Sequence, residues 1–527
     1  MAFLPELVVL IGALGLFGLS LGQGRDRAAR RLLLAVAAAA LLSAVVALPA
    51  RGTLFDGAYQ VDAFSQWLKL VLAVGFGLVA LQQGQLPDIP SAVRPEYNLL
   101  LTLSVAGLML LVSCIELITL FVALELASLP LFLLVAMRRE RPGQRVQMES
   151  AIKYLLFGLT ANGLMLFGLS YLFGLTGTTL LPVMLERLQA PLPTAAVFGL
   201  VLTFCGLFYK LALFPFHFWT PDVYQGASNE TVGFIASLPK LGAVAVLVRF
   251  ATLAQPDPRV VPELLSLLAV ASMFYGNLIA LAQTDLKRLL GFSAIAHAGY
   301  ALVGFVALDQ TGYTAALYYT VAYLFMALAC FAVLSLLAPD GANVTLADLG
   351  GLYRRAPWLA VTWAVGALGL AGFPPFAGFM SKLTVLLAAW AKGHVTLVIL
   401  TVLNTAIALY YYLAMVREAF LREPPEPAQA PIRLHTPARL LCLTLIALTV
   451  ALGVVPGRFL HTVSSSLAWT RPEALGPARA AARLGPEPGV PSSSQPTGLP
   501  KSSLPLNLGP QHSQLQTSQP PYAAGRP

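Results

Sequence analysis

Charge is what this chain has least of. Only 11% of its 527 residues are Asp, Glu, Lys or Arg, while 57% are hydrophobic. Water-soluble domains carry charge nearer to about a quarter of their residues, so a soluble fold is excluded. Cysteine is also scarce. Cys114, Cys205, Cys330 and Cys442 stand far apart, with no CxxC and no iron–sulfur or zinc spacing, and read as buried inert thiols. No Walker sequence, paired-histidine haem site or nucleophile constellation occurs. Gly75-Phe-Gly77-Leu-Val-Ala80 has dinucleotide-loop spacing but lies inside an apolar run, where it serves helix packing.

Long apolar runs fill the space that these absences leave. A bilayer core of roughly 30 Å needs about 20 apolar residues of helix, and such runs recur along nearly the whole chain. They predict an all-α polytopic membrane protein of about fourteen transmembrane helices, near 3–22, 31–49, 61–83, 98–113, 115–137, 150–174, 193–214, 229–253, 261–283, 288–308, 313–338, 357–391, 396–420 and 438–460. The first run lacks a basic n-region and a cleavage site, and is expected to be a retained span.

The net charge of +9 is not gathered into a nucleic-acid stripe. Loops after odd-numbered spans hold most of the arginines, among them Arg25, Arg27, Arg138, Arg139, Arg141, Arg145, Arg354, Arg355, Arg417, Arg422 and Arg433. Loops after even-numbered spans hold Arg51, Arg187, Arg249, Arg259 and Lys392. The positive-inside rule makes the odd loops cytoplasmic and puts both termini on the outer face. Residues 470–527 turn to Pro, Ser, Gln and Gly, a composition that predicts disorder and no part in the chemistry.

Two stretches repeat. "LALFPFHFW" at 211–219 resembles "GLAGFPPFAGF" at 369–379: each is an apolar helix cut at Phe-Pro and resumed as a short second segment. Proline leaves a carbonyl that lipid cannot satisfy, so both breaks must face protein or water. The broken spans are the seventh and twelfth. An odd offset of five makes the copies inverted, which is the arrangement of transporters with a pathway near mid-membrane. The organisation expected is residues 1–94 as helices 1–3, 95–255 as a first five-helix repeat, 256–422 as a second, inverted repeat, 423–469 as helix 14, and 470–527 as the tail.

Ionisable groups inside the spans are few: Glu125, Lys153, Lys210, Lys240, His297 and Lys382, with His217 beside the first break. Each charge at mid-bilayer costs about 2.5–3.5 kcal/mol, so such groups mark function. Bland readings stand beside the functional one: Lys153 snorkelling to the surface, His217 bonding carbonyls freed at Pro215, His297 as a satisfied core histidine, and a structural ion pair for the others. Glu6, Asp62, Lys69 and Glu116 are read as boundary residues. Protonatable groups without redox or nucleotide machinery point to ion movement.

"FYKLALFPFHFWTPDVYQGA" followed by "FIASLPKLGAVAVLVRF" resembles the signature of the antiporter-like membrane subunits of proton-pumping NADH–quinone oxidoreductase (respiratory complex I), of the subunit N kind. The likeness extends to "LFVALELASLPLFLLVAM", "ESAIKYLLFGL", "TDLKRLLGFSAIAHAGY" and "GFPPFAGFMSKL", covering about residues 95 to 420. It implies a proton-translocation set: Glu125 as the carboxylate of the fifth span, Lys153 as the sixth-span lysine, Lys210 as the partner of Glu125 in the broken seventh, His217 just past that break, Lys240 as the central lysine of the eighth, His297 in the tenth and Lys382 in the broken twelfth. It implies further that this chain carries no cofactor, with FMN and iron–sulfur clusters on partner subunits where NADH and quinone react. The chain would then work in a bacterial inner membrane among the other membrane subunits. One departure is "SNETVGF", which stands where the family has a proline-rich stretch. The alternative function is a subunit of a multisubunit cation/proton antiporter, which shares the fold and the lysines.

Overall fold

The computed structural model describes residues 1–470 apart from 23, 84–85, 141–145, 189–191, 256–259, 339, 424–431 and 433. The expected tail from 471 on, and Arg141, Arg145, Arg259 and Arg433, lie outside the described residues.

The chain opens with α1 (Leu4–Ser20), α2 (Asp26–Ala47) and α3 (Ala63–Gln82). Between α2 and α3 a small antiparallel hairpin, β1 (Gly52–Leu54) with β2 (Tyr59–Val61), pairs Gly52 with Val61. This hairpin carries no apolar run and was not legible as an element.

The middle of the chain holds α4 (Arg94–Leu111), α5 (Leu117–Ala136), α6 (Val146–Thr176), a short α7 (Leu181–Arg187), then α8 (Thr194–Leu211), α9 (Trp219–Gly226) and α10 (Asn229–Ala251). It continues as α11 (Val260–Ala280), α12 (Leu286–Phe305), α13 (Gln310–Leu337), a single turn α14 (Leu352–Arg355), α15 (Pro357–Ala371), α16 (Ala377–Ala391) and α17 (Val395–Leu421). The last two are α18 (Thr436–Val454) and α19 (Pro456–Ser466).

Eleven of these helices are long and apolar enough to span a membrane. With the shorter α1, with α4, whose first turn carries Arg94 and Glu96, and with α15 and α16 taken as one interrupted span, all fourteen expected segments have a helix. The seventh is α8, broken before α9; the twelfth is α15, broken before α16.

Helix starts follow from side chains that satisfy the first free amides. Asp62 caps α3 in a reciprocal capping box with Ser65. Glu116 accepts from the Thr119 amide at 2.7 Å, Asp285 from Arg288 at 2.9 Å and Asp309 from Gly312 at 2.9 Å. Ser228 does the same for α10. Both breaks end the preceding helix with a left-handed residue, Ala212 at φ 66° and Gly372 at φ 88°, and each contains a cis X–Pro bond.

Packing is graded from centre to rim. Every residue of α10 is buried, as are nearly all of α12 and α13, whereas α2, α5, α6, α17 and α18 turn an apolar side outward. The amphipathic contrast that marks a helix at a water interface is missing on those outer faces, as lipid contact requires. All four cysteines are buried.

Candidate proton-relay site

Three of the candidate residues converge on the enclosed helices. Lys240 on α10, His297 on α12 and Lys382 on α16 are each 3–5% exposed. Lys240 Nζ donates to the Ala294 carbonyl of α12 at 3.2 Å and lies 5.2 Å from the centre of the Tyr323 ring. Tyr323 in turn stands against His297, ring centres 5.0 Å apart. Both imidazole nitrogens are engaged: Nδ1 with the Tyr319 hydroxyl at 2.6 Å, Nε2 with Tyr412 at 2.9 Å. Tyr412 also bonds Ser293, one turn back on α12. On the far side Tyr300 touches His297, ring centres 5.7 Å apart, and Lys382 Nζ sits 4.6 Å over Tyr300. The order Lys240, Tyr323, His297, Tyr300, Lys382 is therefore continuous.

Lys382 has a second task. Its ammonium donates to the carbonyls of Leu370 at 3.2 Å and Ala371 at 2.9 Å, the last two residues of α15. A helix end presents unsatisfied carbonyls and partial negative charge, so a cation there answers both. The break thus creates the acceptors that hold the amine.

Lys210 lies at the end of α8, nearer the rim. Its ammonium donates to Ser128 of α5 and stands 5.9 Å from the Phe132 ring centre. A small cavity beside it is lined by Ser128, Pro239 and Ala243 with leucines of α4 and α5, which connects Lys210 to the segment of α10 that bears Lys240. Glu125 is half-buried and accepts from the Asn162 amide of α6. It makes no direct ion pair with Lys210 among the described residues; Ser128, one turn along α5, accepts from the Lys210 ammonium and donates to the Leu124 carbonyl. The partnership of Glu125 with Lys210 implied by the family resemblance is therefore not a direct ion pair here: the ammonium donates to Ser128, and the carboxylate accepts from Asn162. Three residues along a helix share a face, so Glu125 and Ser128 both address the α6–α8 side.

Lys153 and His217 stand apart. Lys153 is partly exposed and bridges Glu149 at 2.6 Å and Asp222 at 2.7 Å, and Asp222 also holds Arg288 at 2.7 Å. This is a charge lattice on the first turn of α9. His217 is 1% exposed, packed on Phe214 and Tyr275, and neither ring nitrogen has a partner among the described residues. The break itself is held by other groups: Trp219 Nε1 donates to the Tyr209 carbonyl at 3.1 Å, and the Phe214 amide donates to Ser272 at 3.0 Å.

Sequence reasoning missed the phenols. Tyr300, Tyr319, Tyr323 and Tyr412 link the charged stations, yet a tyrosine in an apolar run carries no signal of its own. Spacing was available for Tyr319 and Tyr323, which lie one helical turn apart on α13. It also missed how residues near the helix ends pair with one another. Glu6 and Lys69 form a fully buried ion pair at 2.7 Å with Tyr59 donating to Glu6 at 2.6 Å. Arg249, counted above as a loop residue, is instead buried within α10, 3.7 Å from Asp62.

Discontinuous spans and a file of enclosed amines joined by phenols define an antiporter-like membrane subunit built to hold and pass protons. The family model described as "NADH:quinone oxidoreductase/Mrp antiporter, TM" matches residues 114–408, and the chain belongs to that family. It is 58% identical over 468 residues to NADH-quinone oxidoreductase subunit N 2 of Opitutus terrae, covering 89% of this chain and 98% of that one. It is 48% identical over 432 residues to the protein of the same description from Solidesulfovibrio magneticus, covering 81% and 90%. A chain of respiratory complex I from Thermus thermophilus with bound aureothin superposes with a TM-score of 0.74 at 34% identity, covering 87% of this chain and 98% of that one. A chain of the Mrp complex from Dietzia sp. gives 0.82 at 22% identity, covering 92% and 99%, a likeness of fold.

Proposed function

We propose that this chain is the subunit-N-type, proton-translocating membrane subunit of an NADH–quinone oxidoreductase. Protons move through Glu125, Lys210, Lys240, His297 and Lys382, with Lys153 and His217 serving access, and their movement is coupled to quinone reduction in partner subunits. The observation that carries this reading is the unbroken file from Lys240 to Lys382 through Tyr323, His297 and Tyr300. A buried ammonium is penalised by desolvation and favoured by a nearby anion or acceptor, so small changes in spacing switch it between holding and releasing a proton. FMN and iron–sulfur clusters belong to the partner subunits, and the signal reaches this chain through packing and charge. The likeness to the Mrp complex is one of fold, so the antiporter alternative gains no support beyond the shared bundle.

In this reading residues 95–255 and 256–422 are the two inverted repeats, preceded by helices 1–3 and followed by helix 14. The chain lies in a bacterial inner membrane with both termini outside, as the arginine distribution supports.

The experiment is replacement of Lys240 by Ala in the intact complex, followed in sealed vesicles by NADH oxidation and acidification together. Normal subunit content with pumping lost by an order of magnitude or more is expected, the scale of a missing acid–base group. Wild-type acidification at normal subunit content would exclude the relay. Alkaline phosphatase fused to either terminus should be active if the termini face outward.

A further inference from the structure

One buried carboxylate has no place in the relay above. Glu230, in the first turn of α10, is 3% exposed, and its Oε2 has no hydrogen-bond partner among the described residues. It falls in "SNETVGF", the stretch that departs from the family pattern. A carboxylate in that position is a costly thing to enclose unless it is used or hydrated.

Its surroundings are charged and polar. Lys287 of α12 is fully buried and donates to the Ala227 carbonyl at 2.7 Å, just before α10. The charged groups facing Glu230 are Lys287 and Asp88, and Asp88 is held by Arg138. Tyr97 of α4 reaches Thr231 at 3.0 Å. At the same helix ends Gln83, Asn98 and Asn229 also keep buried polar atoms without partners among the described residues. Such atoms are commonly satisfied by water in folded proteins, which would make this end of α10 a hydrated vestibule. It lies at the end of the bundle that carries Arg138, Lys287 and Arg288, the basic face.

A polar track leads inward from it. Glu230, Gly233, Ser237 and Lys240 are spaced three, four and three apart, which puts all four on one face of α10 over a rise of about 15 Å. Gly233 has no side chain to block the track; a Cβ there would stand 3.0 Å from the Gln82 amide. Gln82 fills the gap and donates to Ser335 at 2.8 Å. Ser237 is fully buried and supplies a hydroxyl one turn before Lys240.

We infer that Glu230 is the proton-loading group of the basic face and supplies Lys240. The inference rests on the relay reading above. Protonated Glu230 gives its proton through vestibule water and Ser237 to the neutral amine of Lys240, leaving a carboxylate and an ammonium. Water of the basic-face phase then reprotonates the carboxylate. No other bond changes.

The test uses the intact complex in sealed vesicles with the basic face outward, measuring protons taken up per NADH oxidised across external pH. Glu230→Gln should lower pumping several-fold, with the loss growing as external pH rises, because direct capture from water becomes limiting. Glu230→Asp should regain most of the rate. Lys240→Ala in the same assay separates the two claims. Impaired Lys240→Ala beside a Glu230→Gln with wild-type rate and pH profile overturns the inference alone; normal pumping in both overturns the relay and the inference with it. If Glu230→Gln fails to assemble, Glu230→Asp decides: a displaced pH profile supports the loading role, and an unchanged one overturns it.

Discussion

Ser128 shows how much one hydroxyl governs at the residue scale. It receives the Lys210 ammonium and lies one turn from Glu125. Ser128→Ala removes the acceptor and strands a donor, an effect of about 1–3 kcal/mol. We expect pumping in vesicles to fall at neutral pH and to return in part on acidification, which keeps the amine charged by mass action. Glu125→Gln should act in the same direction but more weakly, since the carboxylate works at one remove. Equal, wild-type pH profiles in both variants would leave Lys210 a structural cation. Around His297, Tyr319→Phe and Tyr412→Phe preserve ring volume and delete one and two hydrogen bonds respectively, at a stability cost of about 1 kcal/mol per bond. Their effect on pumping should exceed that on the melting temperature of the complex, and the double variant should lose more than the two single losses predict. The charged stations were legible because a lysine in an apolar run breaks a strong pattern. The tyrosines were not, because apolar helices accept them anywhere, and only the tertiary meeting of α12, α13 and α17 gives them a task.

At the scale of elements the two broken helices are held by different means. The first break is secured by backbone and ring contacts, with Trp219 on the Tyr209 carbonyl and stacked 4.5 Å from Tyr154. The second is secured by a charge, Lys382 on the end of α15. Lys382→Arg should therefore assemble and still block pumping, since guanidinium keeps its proton, whereas Lys382→Ala should also lower subunit content in the membrane. Identical behaviour of the two would show that the helix end does not need the cation. Backbone proximity gives a second check. A Cβ on Gly378 of α16 would run into the Gly369 carbonyl of α15, so Gly378→Ala should destabilise by about 1–3 kcal/mol, measured as the melting temperature of the purified complex. Gly163→Ala, on α6 with open space around it, should be silent. Both breaks could be seen in the sequence from their Phe-Pro cuts. The β1–β2 hairpin and the burial of Arg249 could not, since each depends on partners distant in the chain, Asp62 in the case of the arginine.

For the whole molecule, hydropathy was enough to find fourteen segments, and the order of burial among them was not. An apolar helix reads alike whether it faces lipid or protein, so α10 and α17 look equivalent in sequence and differ completely in surroundings. The polar composition after residue 470 leads us to expect that a chain ending near residue 475 supports normal complex assembly and vesicle acidification; loss of either would make the tail a docking element. The enclosure of α10 has one more consequence. With every one of its residues covered, Lys240 meets neither lipid nor a membrane-dissolved reagent, and the helix is sheathed like the conductor of a cable. Weak acids that shuttle protons through the lipid can collapse the gradient around this subunit, but they cannot short-circuit the station itself. Changes in lipid composition should accordingly reach Glu125 and Lys210 at the rim before they are felt at Lys240.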